Sequence, residues 1–313
     1  MKWIQQELCN RFECKSIILG YDSYDFKTAD FLGRKITLTE FGIRYTGDAK
    51  HSQILLKEWQ MENCKGVGTP GSKDNQAGCT EDLTKLLGSM EATKYRRAAA
   101  RVNYMSLDRV DVSYASKETA RGMANPTVGD VVNLKRVIRY LSTVPVFSIY
   151  YNFQDPPTEI TGYSDSDWAG CTRTRKSTSG GAIMLGKHLV HHYSSTQATI
   201  ALSSGEAELN AATKCTSECI GIKSLLKDLS LEKSINIVQI KIDSSAAKGV
   251  MQRSGAGKVK HLEVRQLWSQ DLVQKKIIKV VKVPREENPA DCLTHFWTAK
   301  EALLHFPKLS VGV

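Results

Sequence analysis

Two strand-like runs of this chain each stop at an aspartate. They are Glu159-Ile-Thr-Gly-Tyr-Ser-Asp165 and Ile237-Val-Gln-Ile-Lys-Ile-Asp243. Between them, Leu202-Ser-Ser-Gly205 leads into Glu206 and a helical pattern over residues 204–229. Further on, Ile277 to Val283 reads as a strand and passes through Pro284-Arg-Glu-Glu-Asn-Pro-Ala290 to Asp291. A residue that only closes an apolar run need not be charged. Acids in this order, at a strand end, a helix start, a strand end and a post-strand loop, are candidates for one shared site.

Brought together, Asp165, Glu206, Asp243 and Asp291 would repel one another unless a cation lay among them. Mg²⁺ is a hard ion that takes oxygen ligands. Two such ions about 4 Å apart clamp the attacking and leaving oxygens in phosphodiester hydrolysis. The expectation is therefore a pair of Mg²⁺ ions, with Mn²⁺ as a substitute. Two positions leave alternatives open. Glu206 stands behind Ser203 and Ser204 in a first helical turn, where a carboxylate also suits the helix dipole and a cap. Glu208, two residues on, points elsewhere around the helix and is the weaker ligand candidate. Asp167 shares a strand face with Asp165, and Asp165 is preferred as the strand-end ligand.

A length of 313 residues suggests about two domains. Hydrophobic content of 41% is ample for a core and argues against global disorder. No apolar run approaches the ~20 residues that span a bilayer, and Met1-Lys-Trp-Ile-Gln-Gln-Glu7 has no apolar signal region. These features predict an intracellular, cytoplasmic or nuclear protein without a membrane partner. The net charge of +10 points to a polyanion. Nine lysines or arginines against two acids lie between Arg253 and Arg285. Arg253, Lys258, Lys260, Arg265 and Arg285 are the candidate contacts to a nucleic-acid backbone. A second basic group is Lys94, Arg96, Arg97 and Arg101. The eight cysteines form no C-x-x-C pair and read as reduced, mostly buried thiols.

Residues 1–65 read as a small α/β segment: a helix from Lys2 to Phe12 with Trp3, Leu8 and Phe12 on one side, a hairpin over 34–46, and a helix from His51 to Met61 capped by Asp48. A connector rich in turn residues covers about 66–80. Three helices follow, over 95–106, 113–123 and 130–142. Residues 146–305 read as a second unit with strands at 147–152, 159–165, 180–185, 188–194, 235–243 and 277–283. Its helices fall at 204–229, 245–252, 261–275 and 289–304, and a tail occupies 306–313. Strands in sequence followed by alternating helix and strand predict a mixed sheet flanked by helices.

Gly162-Tyr-Ser-Asp-Ser-Asp-Trp-Ala-Gly170, Arg175-Lys-Ser-Thr-Ser-Gly180, Ala201-Leu-Ser-Ser-Gly-Glu-Ala-Glu208, Lys260-His-Leu-Glu-Val-Arg265 and Val283-Pro-Arg-Glu-Glu-Asn-Pro-Ala-Asp291 resemble the ribonuclease H region of copia-type retrotransposon Pol polyproteins. Cys64-Lys-Gly-Val-Gly-Thr-Pro70, Tyr95-Arg-Arg-Ala-Ala-Ala-Arg-Val-Asn-Tyr104, Asp108-Arg-Val-Asp-Val-Ser-Tyr-Ala115, Met123-Ala-Asn-Pro126 and Leu134-Lys-Arg-Val-Ile-Arg-Tyr-Leu141 resemble the end of that family's reverse transcriptase. The resemblance implies an α/β ribonuclease H-like domain with a mixed five-stranded sheet over 146–305. Residues 1–145 would be a mostly helical thumb or connection remnant with a small α/β start. It implies Asp165, Glu206, Asp243 and Asp291 as metal ligands and catalytic residues, an RNA–DNA hybrid as substrate, and the rest of a Pol polyprotein as a partner. The family's polymerase motif is a paired aspartate, and this sequence holds no Asp-Asp. DNA synthesis by this chain alone is not expected. Many ribonucleases H carry a His in the loop before the last Asp; here Glu286 or Glu287 stands in that loop.

Other motifs carry less. Gly255-Ala-Gly-Lys258 lacks the Gly and Ser/Thr of a phosphate loop. His191 and His192 are adjacent on a strand and face opposite ways. Ser177, Ser179 and Ser203 show no nucleophilic triad. Trp168 is expected to pack in the core. A non-catalytic nucleic-acid-binding remnant of a decayed retroelement is the rival reading.

Overall fold

The computed structural model describes residues 2–73, 75, 79–231, 234–255 and 264–312. Helix α1 (Lys2–Arg11) precedes an antiparallel meander of β1 (Thr28–Phe31), β2 (Arg34–Thr39) and β3 (Gly42–Gly47). The apolar side expected on α1 is not buried: Trp3 is 72% and Phe12 63% exposed. Helix α2 (Lys50–Glu58) starts where the Lys50 N–H donates to Asp48 Oδ1 at 2.8 Å. Helices α3 (Ser89–Met105), α4 (Ser113–Arg121) and α5 (Val128–Thr143) follow. Thr127 and Asp130 close a capping box on α5, which satisfies N–H groups the first turn leaves open. Leu134, Ile138 and Leu141 then form its buried stripe.

Strand β4 (Ser148–Asn152) is a correction to the expected division at 145/146. It does not join the second sheet. It pairs with β3 on one side and with β10 (Val311–Gly312) on the other, giving the order β1-β2-β3-β4-β10. Pro156-Pro157 follows it, and proline cannot donate to a ladder, so the chain leaves the first sheet there before a new one begins. The expected tail over 306–313 is likewise structured: a 3₁₀ turn at Phe306–Leu309 delivers β10 to the edge of β4.

The second sheet consists of β5 (Glu159–Asp167), β6 (Thr178–Leu185), β7 (His188–Thr196), β8 (Ile237–Ile242) and β9 (Ile278–Lys282), in the order β7-β6-β5-β8-β9. β5, β6 and β7 are antiparallel, whereas β8 is parallel to β5 and β9 to β8. Parallel neighbours need a crossover. Helix α6 (Ser204–Asp228) supplies the first, and α7 (Ser245–Gln252) with α8 (Val264–Gln274) the second. This is a ribonuclease H-like topology.

Both faces of this sheet are covered. Ile183 of β6 joins Leu209, Cys215, Cys219, Val238, Ile240 and Met251 in one core. Its neighbours Ala182 and Met184 point the other way, into a core shared with Leu134, Ile138, Trp297 and Phe306. The alternation of one strand thus joins the helical region to the sheet. Cys215 and Cys219 pack on β5 at Gly162, where an added Cβ would lie 2.6 Å from either sulfur. Four of the eight cysteines are buried, three are exposed and all are free. The single helix expected over 289–304 is two pieces: a 3₁₀ turn at Pro289–Leu293 and helix α9 (Ala299–His305). Between them Trp297 turns into the core at 5% exposure, and Thr298 restarts the helix with a capping box to Glu301.

Candidate metal centre

Asp165 lies on β5, beside the point where β6 carries Gly180. The turn Pro289–Leu293 lies so close there that a Cβ on Gly180 would sit 2.8 Å from the Ala290 carbonyl oxygen. This close approach brings Asp291 to Asp165. Asp243 follows the last residue of β8, the parallel neighbour of β5. Asp165, Asp243 and Asp291 line one cleft of about 800 Å³.

Glu206 is not among them. Its carboxylate turns back to accept the Leu202 N–H at 2.8 Å, while its own N–H donates to Ser203 Oγ at 3.2 Å. Glu208 takes the place in the cleft. Carboxylate oxygens of Asp165, Glu208 and Asp243 all lie within 4.8 Å of one another. The physical reason is the helical step of about 100° per residue: two positions carry the side chain to the opposite side of α6. The third residue of the first turn faces its cap, and the fifth faces β5. Asp167 also lines the cleft, but its Oδ1 accepts the Thr178 N–H across the mouth of the β5–β6 ladder.

The cluster is short of positive charge. Burial, opposed by a hydrogen bond from Thr294 and reinforced by Asp291 and Asp243, pushes Asp165 up to about 6. Burial first, and then the charges of Asp165 and Asp243, push Glu208 to about 9. Asp243 is raised as well, chiefly by burial. Glu208 Oε2 is buried without a hydrogen-bond partner among the described residues. An all-oxygen donor set with an unpartnered buried carboxylate oxygen fits a hard divalent cation.

Asp291 stands slightly apart. Arg285 holds its Oδ1 through Nε at 3.0 Å and Nη2 at 2.9 Å. His295 Nε2 lies 3.9 Å from Asp291 Oδ2 and 3.3 Å from Glu301 Oε1. Oxygen and nitrogen atoms of Asp291, His295 and Glu301 form a second group within 4.8 Å. The loop before Asp291 has no His, yet the turn after it brings one to the same cleft.

No protein-family model matches the chain. Over 282 residues, 88% of its length, it is 29% identical to the Retrovirus-related Pol polyprotein from transposon TNT 1-94 of Nicotiana tabacum. Over 266 residues it is 30% identical to the corresponding polyprotein from transposon RE2 of Arabidopsis thaliana. It is 31% identical to the uncharacterized mitochondrial protein AtMg00810 of Arabidopsis thaliana, of which it covers 75%. The chain belongs to the copia-type retrotransposon Pol family. It spans about a fifth of the length of these Pol relatives, 21% and 18% respectively. Among solved structures, LC11-RNase H1 isolated from compost covers 44% of this chain at 20% identity and a TM-score of 0.31. A foamy viral protease-reverse transcriptase in complex with RNA/DNA hybrid covers 83% at 9% identity and a TM-score of 0.42. The strand order, not these overlaps, carries the fold.

The basic candidates of this Pol-family chain divide. Arg285 reaches the cleft and is bonded to Asp291. Arg253 is the half-buried C-cap of α7 and is not among the described residues that line the cleft. Lys258 and Lys260 lie outside the described residues, and Arg265 is described only as a backbone position of α8. Much of the second basic group is engaged inside the fold: Arg96 donates to the Met123 carbonyl at 2.7 Å, Lys94 lies 4.8 Å over the Trp59 ring, and Arg101 faces Glu58 at 3.8 Å. Trp168 is not in the core; it is 53% exposed and donates to the Ala201 carbonyl at 3.1 Å. Among the described residues, no helix is long and apolar enough to cross a membrane.

Sequence reasoning ranked Glu208 below Glu206, and it missed His295 and Glu301. The signal for Glu208 was the same motif that held Glu206. For Glu301 it was the capping box Thr298-x-x-Glu301, and for His295 the four-residue step from Asp291.

Proposed function

We propose that this chain hydrolyses the RNA strand of an RNA–DNA hybrid, with two Mg²⁺ ions held by Asp165, Glu208, Asp243 and Asp291. One observation carries the reading. On a ribonuclease H-like sheet, one buried and two half-buried carboxylates from a strand, a helix and a strand end converge within 4.8 Å, one of them with an unpartnered oxygen among the described residues. Asp165 stands on a strand and Glu208 on a helix, so regular backbone positions these two donors. Bound there, a divalent pair supplies the charge that ionises a water and stabilises the leaving oxygen, giving 3′-hydroxyl and 5′-phosphate ends. Thr294 Oγ1 donates to Asp165 Oδ2 and fixes which way that carboxylate turns. Arg285 fixes Asp291 in the same manner. Recognition by shape and 2′-hydroxyls, rather than by base sequence, is the mode this reading implies.

The test is a labelled hybrid with Mg²⁺ or Mn²⁺. Asp243→Asn should lower cleavage by more than about a hundredfold, beyond what loss of an outer-shell partner costs, while hybrid binding persists. Unchanged cleavage in Asp243→Asn removes the assignment. Salt-sensitive binding by the unsubstituted chain without any metal-dependent cleavage supports the non-catalytic reading instead.

A further inference from the structure

The cleft has a wall that the ribonuclease H-like sheet does not supply. Thr69, Gly71, Ser72 and Lys73, from the connector before the three helices, line it together with Asp165 and Asp243. A stretch reading Gly-Thr-Pro-Gly-Ser has the composition of a loose linker, but this one is seated. Arg136 Nη2 donates to Thr69 Oγ1 at 2.9 Å, and Asn75 Nδ2 donates to the Val132 carbonyl at 3.2 Å, so α5 holds it at both ends. Pro70 and Gly71 are buried. Gly71 lies against Phe296 so closely that a Cβ would fall 2.0 Å from the ring. Tyr114 of α4 meets the same ring edge-on at 4.9 Å between centroids.

Charge gives the wall a purpose. The cleft is lined by Asp165, Asp167, Glu208, Asp243, Asp291 and Glu301, a surface that repels a polyanion. Among the described residues, two lysine or arginine side chains line it, Lys73 and Arg285. Arg285 is committed to Asp291. Lys73 is exposed, and among the described residues no acid pairs with it.

We propose that the Thr69–Lys73 segment is the substrate-facing wall of the cleft, and that Lys73 takes a backbone phosphate of the bound nucleic acid. This rests on the cleft being where nucleic acid binds, as the nuclease reading holds. The helical region then contributes a contact to the substrate as well as packing to the core. α5 and Phe296 set where that contact stands.

The experiment uses the full chain and a labelled hybrid duplex, with affinity measured from low to moderate salt and cleavage measured in Mg²⁺. Removing one phosphate contact lowers the slope of log affinity against log salt by about one. Lys73→Gln should show that loss, with affinity about ten-fold weaker near 0.1 M salt, KM raised to match and kcat unchanged. Lys73→Arg should keep the parent slope. Gly71→Ala, which drives a methyl into Phe296, should shift the wall and weaken binding in the same direction without adding to Lys73→Gln. An unchanged slope and KM in Lys73→Gln overturns the proposal. Binding is read in Asp243→Asn as well. If the parent binds but never cleaves, the nuclease reading fails while the slope still decides the role of Lys73.

Discussion

Asp111 in the helical region and Glu208 in the sheet region are both carboxylates withdrawn from water, and the two regions treat them differently. Asp111 is fully buried, and everything it needs is inside the protein. Arg109 meets it with Nε at 3.0 Å and Nη2 at 2.6 Å, and the Tyr140 hydroxyl donates at 2.8 Å. Arg109 in turn donates to the Val144 carbonyl at 2.9 Å and the Pro145 carbonyl at 3.3 Å. Glu208 has acids for neighbours and an oxygen with no partner among the described residues. Both acids sit inside motifs shared with the Pol family, so motif membership does not separate a structural acid from a site acid. Satisfaction does: the closed network is complete within the protein, and the open one leaves repelling charges that a cation, as proposed, would balance.

The largest effect should come from opening the closed network. Asp111→Ala leaves the Arg109 guanidinium buried without a counter-charge, a change that costs about 3–5 kcal/mol of stability. The fall should appear as a lower urea midpoint, with the slope of the transition preserved. Replacing the whole network at once, as Arg109→Met with Asp111→Leu and Tyr140→Phe, should recover most of that loss, because a well-packed apolar substitute avoids the desolvation penalty. If Asp111→Ala unfolds no more readily than the parent, the contrast between the regions collapses.

The open network should answer to pH with a definite sign. Asp165 and Glu208 bind protons more tightly folded, at about 6 and about 9, than unfolded. Stability without a divalent ion is therefore fully present below the ordinary carboxylate range and is lost as pH rises through those two values. Thermal unfolding in chelator should show a midpoint that falls between pH 5 and pH 9. Added Mg²⁺ should raise the midpoint more at pH 9 than at pH 6, because ligation needs the deprotonated carboxylates. Glu208→Gln should flatten the curve in chelator. A midpoint indifferent to pH in both proteins would mean that the carboxylates do not share a buried site.

What was legible in the sequence follows from the range of each interaction. β5 and β8 were readable as strand-like runs because that pattern is local, although β5 continues past Asp165 to Asp167. The partner of a strand is not local: residues 147–152 read correctly as a strand, but nothing in Phe147-Ser-Ile-Tyr-Tyr-Asn152 says that β3 and Val311-Gly312 would flank it. The run expected as one helix over 289–304 is interrupted at Phe296 and Trp297. The structure instead uses them to clamp the turn bearing Asp291 against Tyr114, Tyr140 and the core, with Trp297 Nε1 donating to the Asp111 carbonyl at 3.1 Å. That clamp joins the closed network to the open one, and it depends on contacts 186 residues apart in sequence.

The smallest effect is also the sharpest test of the site, because it separates two glutamates in one helical turn. Glu206 caps the backbone of α6, and its amide analogue still offers an oxygen to the Leu202 N–H. Glu206→Gln should therefore lose only the charge at the helix N-terminus, about 0.3–1 kcal/mol. Glu206→Ala should lose the hydrogen bond as well, for about 1 kcal/mol in total. Neither change touches the cleft, so hybrid cleavage per folded molecule should stay within about twofold of the parent. Glu208→Gln should do the reverse, abolishing metal-dependent cleavage while leaving the helix as stable as before, since it removes a repelled charge. The fold alone does not demand this split, because either glutamate could lie near the first turn of a crossover helix. It follows from the face of α6 that Leu209, Ala212 and Cys215 bury against the sheet. Were Glu206→Gln to abolish cleavage while Glu208→Gln spared it, α6 would have to be rotated by more than half a turn, and its packing on Gly162 would be lost.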